Sequence, residues 1–151
     1  MDFHQLTELI QKNNILFQNF NGLIEKKDIP YIHIKQKGFT IIYIPNGDIG
    51  HFVCYYFIGG AYFFDSFGHP PSYYKLPNNI DHNTRQIQHP SSCLCGAYII
   101  FIVSYCIQNK INPEKFIKET FDFSNLKKND SIVYSFIAQL GFKNKKILKC
   151  L

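Results

Sequence analysis

Apolar residues fall along this chain in two rhythms, and the change from one to the other divides it. Phe3, Leu6, Leu9 and Ile10 recur at helical spacing and predict a short amphipathic helix over residues 3–11. Between Asn13 and Pro30 the pattern weakens, with Leu16, Phe17, Phe20, Leu23 and Ile24 scattered among Asn, Gln and Lys, so this stretch reads as loop with helical turns. Strand character then takes over. Residues 31–34 alternate briefly, and Phe39 to Ile44 is rich in β-branched and aromatic residues. Pro45-Asn46-Gly47-Asp48 is a turn signal, and two further strands, 51–58 and 61–65, flank Gly59-Gly60 as a hairpin turn.

Residues 67–84 hold three prolines, three Asn and Gly68, a turn-dense connection, after which Arg85 to Gln88 reads as a short strand. From Cys93 to about Asn109 the chain is almost unbroken apolar, which predicts a helix buried on nearly all sides, led in by His89-Pro90 and capped at Ser91-Ser92. Asn112-Pro113-Glu114 starts another helix. A last one, capped by Asp130 or Ser131, carries Ile132, Val133, Phe136, Ile137 and Leu140 on one stripe and ends at Gly141. The expected fold is α+β: an antiparallel or mixed sheet packed against a buried central helix, with flanking helices, in a single domain spanning 1–151.

Composition agrees with one folded core. A chain of 151 residues with 46% hydrophobic and 17% aromatic content can bury a core but is too short for two ordinary domains. The formal charge of +5, densest over Lys143-Asn144-Lys145-Lys146, reads as a solvated basic face, with weak attraction to DNA as the alternative. Met1 to Asn13 has no secretory pattern, so an intracellular, non-secreted protein is expected. The apolar run after Cys93 is short and too polar for a membrane span. Five cysteines at 54, 93, 95, 106 and 150 have no disulfide-scaffold spacing and suggest free thiols in a reducing compartment.

The chemistry centres on Cys95. A thiol in the first turn of a helix lies at the positive end of the dipole, which favours the thiolate. Taken alone, a cysteine in an apolar helix is more simply a small core hydrophobe. Gly96 beside it removes a side chain where a substrate carbonyl would approach, at a helix-weakening cost of about 1 kcal/mol. His51 begins one strand of the hairpin and Asp65 ends the next, so both come to the same edge of the sheet. A two-residue turn at Gly59-Gly60 would pair Asp65 with Cys54 and face it away from His51; direct opposition needs a longer loop or a bulge. In isolation His51 is a strand-end histidine and Asp65 a turn former.

The order His51-Phe52, Asp65-Ser66-Phe67-Gly68, and Gln88-x-Pro90-x-Ser92-x-x-Cys95-Gly96 resembles the adenovirus-type maturation proteases and, more distantly, the ubiquitin-like-protein proteases of the same clan. Asn129-Asp130 followed by Tyr134-Ser135-Phe136 resembles a C-terminal helix of that family. Phe52 stands where the family has tryptophan, and Gln86, nine residues before Cys95, fits less well than Gln88 at seven. The resemblance implies a cysteine endopeptidase of viral or virus-like mobile-element origin, acting in the infected cell and packaged in the virion. Its substrates would be capsid or scaffold precursors, cleaved at small-residue sites. Cys95 would attack the scissile carbonyl, His51 would serve as base and acid, Asp65 would orient the imidazole, and Gln88 with the Cys95 N–H would hold the oxyanion. A monomer is expected. Adenovirus-type enzymes are activated by a disulfide-tethered peptide and by DNA; the stretch between Asp65 and Gln88 has no cysteine to match the first.

Rival readings stay open at this stage. Cys93, Cys95, His69, His82 and His89 could be drawn around zinc, but Cys93-x-Cys95 lacks the usual two-residue spacing and a second paired motif. There is no phosphate-binding glycine loop. An isopeptidase acting on ubiquitin-like modifiers would keep the chemistry, and an inactive relative serving as a capsid or nucleic-acid binding module would discard it.

Overall fold

Phe39–Ile44 lies in the interior of a five-stranded sheet, which is why its residues are apolar on both faces. The protein is described from a computed structural model covering residues 1–31 and 35–141. Its strands are β1 (Phe20–Glu25), β2 (Gly38–Asn46), β3 (Ile49–Phe57), β4 (Tyr62–Phe64) and β5 (Asp81–His82), side by side in chain order. The sheet is mixed: β2–β3 and β3–β4 are antiparallel, while β1 runs parallel to β2 and β5 parallel to β4. With helices α1 (Phe3–Gln11), α2 (Asn14–Asn19), α3 (Cys95–Asn109), α4 (Pro113–Thr120) and α5 (Leu126–Gln139), the fold is α+β.

Alternation along the strands builds two apolar layers. Phe39, Ile41, Phe52, Cys54, Tyr56 and Phe64 face α3 and the N-terminal helices, packing on Leu6, Ile10, Leu16 and the apolar length of α3. Ile42, Ile44, Val53, Tyr55 and Phe63 face the other way, under Leu76 and the 71–82 connection. Each fully buried Leu or Ile is worth about 1.5–3 kcal/mol, so α3, buried on all sides from Cys95 to Ser104, is held firmly in place. A capping box ties α1 at its start: Asp2 accepts from the Gln5 N–H and Gln5 accepts from the Asp2 N–H.

Several expectations are corrected. Residues 13–30 hold α2, strand β1 and a 3₁₀ turn (Lys26–Tyr31) instead of loop; β1 is an edge strand whose residues are all half-exposed or exposed, so it carries no strong apolar alternation. Of the expected strand at 31–34, Tyr31 ends that 3₁₀ turn and 32–34 lie outside the described residues. Residues 85–88 are not a strand; the last strand is Asp81–His82 (β5), which pairs with β4. The last helix begins at Leu126 with Asn125 as its cap, because Asn129 and Asp130 turn inward to hold a neighbouring loop. Helix α3 opens at Cys95 after Leu94 with no side-chain cap, and neither Ser91 nor Ser92 serves. Cys54, Cys95 and Cys106 are free thiols, whereas Cys93 is disulfide-bonded. Cys150 and the basic run 143–146 lie outside the described residues. Among the described residues, no helix is long and apolar enough to cross a membrane.

Candidate active site

The β3–β4 register decides whether His51 and Asp65 can meet. The pairs are Cys54 with Phe64, Tyr55 with Phe63 and Tyr56 with Tyr62, one residue away from what a two-residue Gly59-Gly60 turn demands and two from direct opposition. Continued past Phe64, this register sets Asp65 beside Val53, so Asp65 and His51 share a face as diagonal neighbours. A hydrogen bond closes the diagonal: His51 Nε2 lies 2.7 Å from Asp65 Oδ1. Nδ1 is left as the ring nitrogen for Cys95, whose thiol and the His51 ring shift each other's ionisation. Cys95 reaches this point from the opposite layer, at the first residue of α3, so sulfur and ring meet at the end of the sheet.

Asp65 is completely buried yet fully partnered. Oδ1 accepts from His51 and from the Phe67 N–H at 2.9 Å, and Oδ2 accepts from the Tyr74 hydroxyl at 2.6 Å and the His69 N–H at 3.2 Å. Its main chain is clamped as well: Asn83 Nδ2 donates to the Asp65 carbonyl at 2.5 Å and Asn83 Oδ1 accepts from the Asp65 N–H at 3.0 Å. The Phe67 ring stacks on His51 with centroids 4.8 Å apart. The turn is tight, with Gly68 at φ +79° and its α-carbon so close to the Arg85–Gln86 backbone that a Cβ would sit 2.6 Å from the Arg85 carbonyl carbon.

Burial opposes charge on all three groups and is the largest single influence on each, but their mutual contacts outweigh it. Desolvation would lower the His51 pKa, yet bonds to Asp65 and Cys95 bring it up to about 9. Desolvation would raise the Cys95 thiol; the His51 bond and charge, the Phe52 backbone N–H and the nearby α-amino group of Met1 hold it below the usual thiol range. Desolvation would raise Asp65, but His51, the Tyr74 hydroxyl and the Phe67 N–H hold it below the usual carboxylate range. The other two free thiols show the contrast. Cys54 and Cys106, buried without a cationic partner, are both pushed up, Cys106 to about 12.

Gln88 is 1% exposed, and its side chain is held at both ends: Oε1 accepts from the Ser66 hydroxyl at 2.5 Å and Nε2 donates to the Ser92 carbonyl at 2.7 Å. The backbone around it is gripped from three sides. The N–H groups of Ile87 and Gln88 both donate to the Ser66 carbonyl, at 2.9 and 3.1 Å. The Ile87 carbonyl accepts from Asn129 Nδ2 at 3.0 Å and from the Tyr98 hydroxyl at 3.1 Å, and that hydroxyl also lies 2.7 Å from Asp130 Oδ1. Asp130 Oδ1 accepts from the His89 N–H as well. Gln86 turns elsewhere, donating to the Gln88 carbonyl.

Gly96 also serves packing. A Cβ there would lie 3.3 Å from Leu6 and 3.4 Å from Phe52, so the glycine lets the start of α3 press against α1 and β3. Sequence reading assigned no site role to Tyr74, Asn83 and Tyr98, and Ser66 entered only as part of the Asp65-Ser66-Phe67-Gly68 motif; Tyr74 and Asn83 sit in a turn-rich stretch where polar residues are expected for local reasons. The histidines considered for zinc are dispersed: His69 stacks on Tyr73, His82 contacts the Asn83 carbonyl and His89 pairs with Ser91. Among the described residues no group of three or more His, Cys, Asp or Glu is placed to hold a metal ion. Neither a known family model nor a curated protein sequence matches the chain.

Proposed function

We propose that the protein is a cysteine endopeptidase with Cys95 as nucleophile, His51 as base and acid, Asp65 as orienting carboxylate and Gln88 as oxyanion donor. The observation that carries this reading is the buried His51 ring, held by Asp65 at 2.7 Å and interacting with Cys95, so that the thiol is lowered and the imidazole raised although both are buried. Such an ion pair is what an amide-cleaving thiol needs.

In the reaction the Cys95 thiolate forms a C–S bond to the scissile carbonyl carbon, and the carbonyl π pair moves to oxygen. As the tetrahedral species collapses, the C–N bond breaks and His51 gives its proton to the leaving amine. Water then attacks the thioester, with His51 taking the proton, and the thiolate is released. The second N–H of Gln88 and the Cys95 N–H, at the uncapped start of α3, are the donors suited to the oxyanion. Capsid or scaffold precursors remain the proposed substrates on the strength of the sequence resemblance.

The test is incubation of the wild type and Cys95→Ala with the capsid proteins encoded beside this gene. Discrete cleavage by the wild type alone is expected. Absence of cleavage, together with iodoacetamide alkylation of Cys95 that rises only near pH 9, would overturn the assignment.

A further inference from the structure

We infer that Ser66 is a positioning residue for Gln88, and that the dipeptide Asp65-Ser66 ties the two halves of the proposed site together; the inference rests on the oxyanion role given to Gln88 above. Asp65 and Ser66 open the turn that follows β4, which the Gly68 N–H closes by donating to the Asp65 carbonyl, and their side chains take different partners. Asp65 turns to His51 and Ser66 turns to Gln88.

The orientation of the Gln88 amide follows from its surroundings. The Ser92 carbonyl can only accept, so the Gln88 atom 2.7 Å from it is the nitrogen. Oε1 then faces the Ser66 hydroxyl, which is obliged to donate at 2.5 Å. Ser66 is fully buried and Gln88 nearly so, which leaves no solvent to replace that bond. One Gln88 N–H is spent on Ser92 and the other is held in a fixed direction. The Ser66 carbonyl fixes the same residue a second way, by accepting from the Gln88 N–H and the Ile87 N–H. Ser66 touches neither the thiol nor the imidazole in any hydrogen bond, so its effect passes through Gln88.

Two reactions of Cys95 separate this role from general structural support. Alkylation by iodoacetamide is a displacement at carbon in which iodide leaves and no oxyanion forms, so it reads the thiolate alone. Addition of the thiolate to a glycyl-glycinal peptide aldehyde forms a C–S bond and pushes the carbonyl pair onto oxygen, so it reads the oxyanion donors. Ser66→Ala is expected to weaken aldehyde binding about 10-fold or more, approaching the loss seen on removing an oxyanion donor. It should leave the alkylation rate and its pH profile unchanged. Ser66→Thr, which keeps the hydroxyl, should recover most of the loss. The double variant Ser66→Ala with Gln88→Ala should bind aldehyde no worse than Gln88→Ala alone, since the two act as a unit.

A fall in alkylation and aldehyde binding together, or additive losses in the double variant, would overturn the positioning role. Side-chain amide NMR of Gln88 tests the same contact without any reaction: the signals should shift and exchange faster in Ser66→Ala, and unchanged signals would overturn the inference. If the Gln88 signals respond to Ser66 while Gln88→Ala leaves aldehyde binding intact, it is the oxyanion role of Gln88 that fails and the contact stands.

Discussion

His51 and Asp65 are joined by a 2.7 Å hydrogen bond across a diagonal of the β3–β4 hairpin, two positions away from direct pairing. The offset leaves each residue free to take a further partner: Asp65 also meets Tyr74 and two backbone N–H groups, and His51 meets Cys95.

This bond sets the expected pH dependence. The His51 pKa is raised in the fold to about 9 from an ordinary value of 6.5, so its stabilising contribution is complete below 6.5 and is lost as pH rises through 9. Asp65 is lowered, so its contribution is present above the ordinary carboxylate value and is lost as pH falls beneath it. Peptide-amide hydrolysis should hold a plateau through neutral pH and fall with an apparent pKa near 9, as the imidazolium that protonates the leaving amine disappears. Alkylation of Cys95 should rise at a lower pH than that of an ordinary thiol, and His51→Ala should move its rise to the ordinary thiol range or above.

Asp65→Asn keeps the shape and removes the charge. The amide sets a donor against the His51 N–H or forces the other tautomer, so kcat is expected to fall by about 10²–10⁴ with KM little changed. The alkaline limb should move down toward neutrality, since the carboxylate is what counters burial at His51. A pH series of kcat/KM checks both.

Gly68 presses the Asp65 turn against the Arg85–Gln86 backbone that leads to Gln88. Gly68→Ala places a Cβ 2.6 Å from backbone and at a left-handed φ, so a loss of about 2–4 kcal/mol is expected, with neither neighbour able to yield. Gly59→Ala is the control: its φ is +66° but nothing lies within 4 Å, and about 1 kcal/mol should be lost. Urea melts of the two variants should differ accordingly.

Asn129 spends its side chain on three backbone groups: it donates to the Ile87 and Asp122 carbonyls and accepts from the Asp122 N–H. Asn129→Ala leaves the half-buried Asp122 N–H without this partner and takes one of two donors from each of the Ile87 and Asp122 carbonyls, so a cost of about 1–3 kcal/mol is expected. Asn125→Ala removes only the α5 cap and should cost about 1 kcal/mol. Thermal unfolding of the pair distinguishes an interior clamp from a helix cap.

What could be read from the sequence was set by how local its cause is. The β2 and β3 strands and the buried α3 are written in continuous apolar runs, and α4 in its Asn112-Pro113 start. Strands β1 and β5 are edge strands, one half-exposed and one two residues long, and their partners are chosen by the rest of the sheet. The hairpin register was beyond reach because Gly59-Gly60 permits several loop lengths, and one residue of slip decides which face Asp65 occupies. Asn83 and Tyr74 owe their places to long-range contacts with Asp65 that no local spacing encodes.

Sulfur and imidazole are carried by elements on different layers of the sheet and meet only where the sheet ends. A ribosome-bound or half-collapsed chain therefore holds a cysteine with ordinary thiol reactivity, because the ring that ionises it arrives only when α3 docks on β3. Thiolate formation at Cys95 is in this sense a readout of completed assembly, and a nascent chain is spared a reactive thiol until its interior has closed.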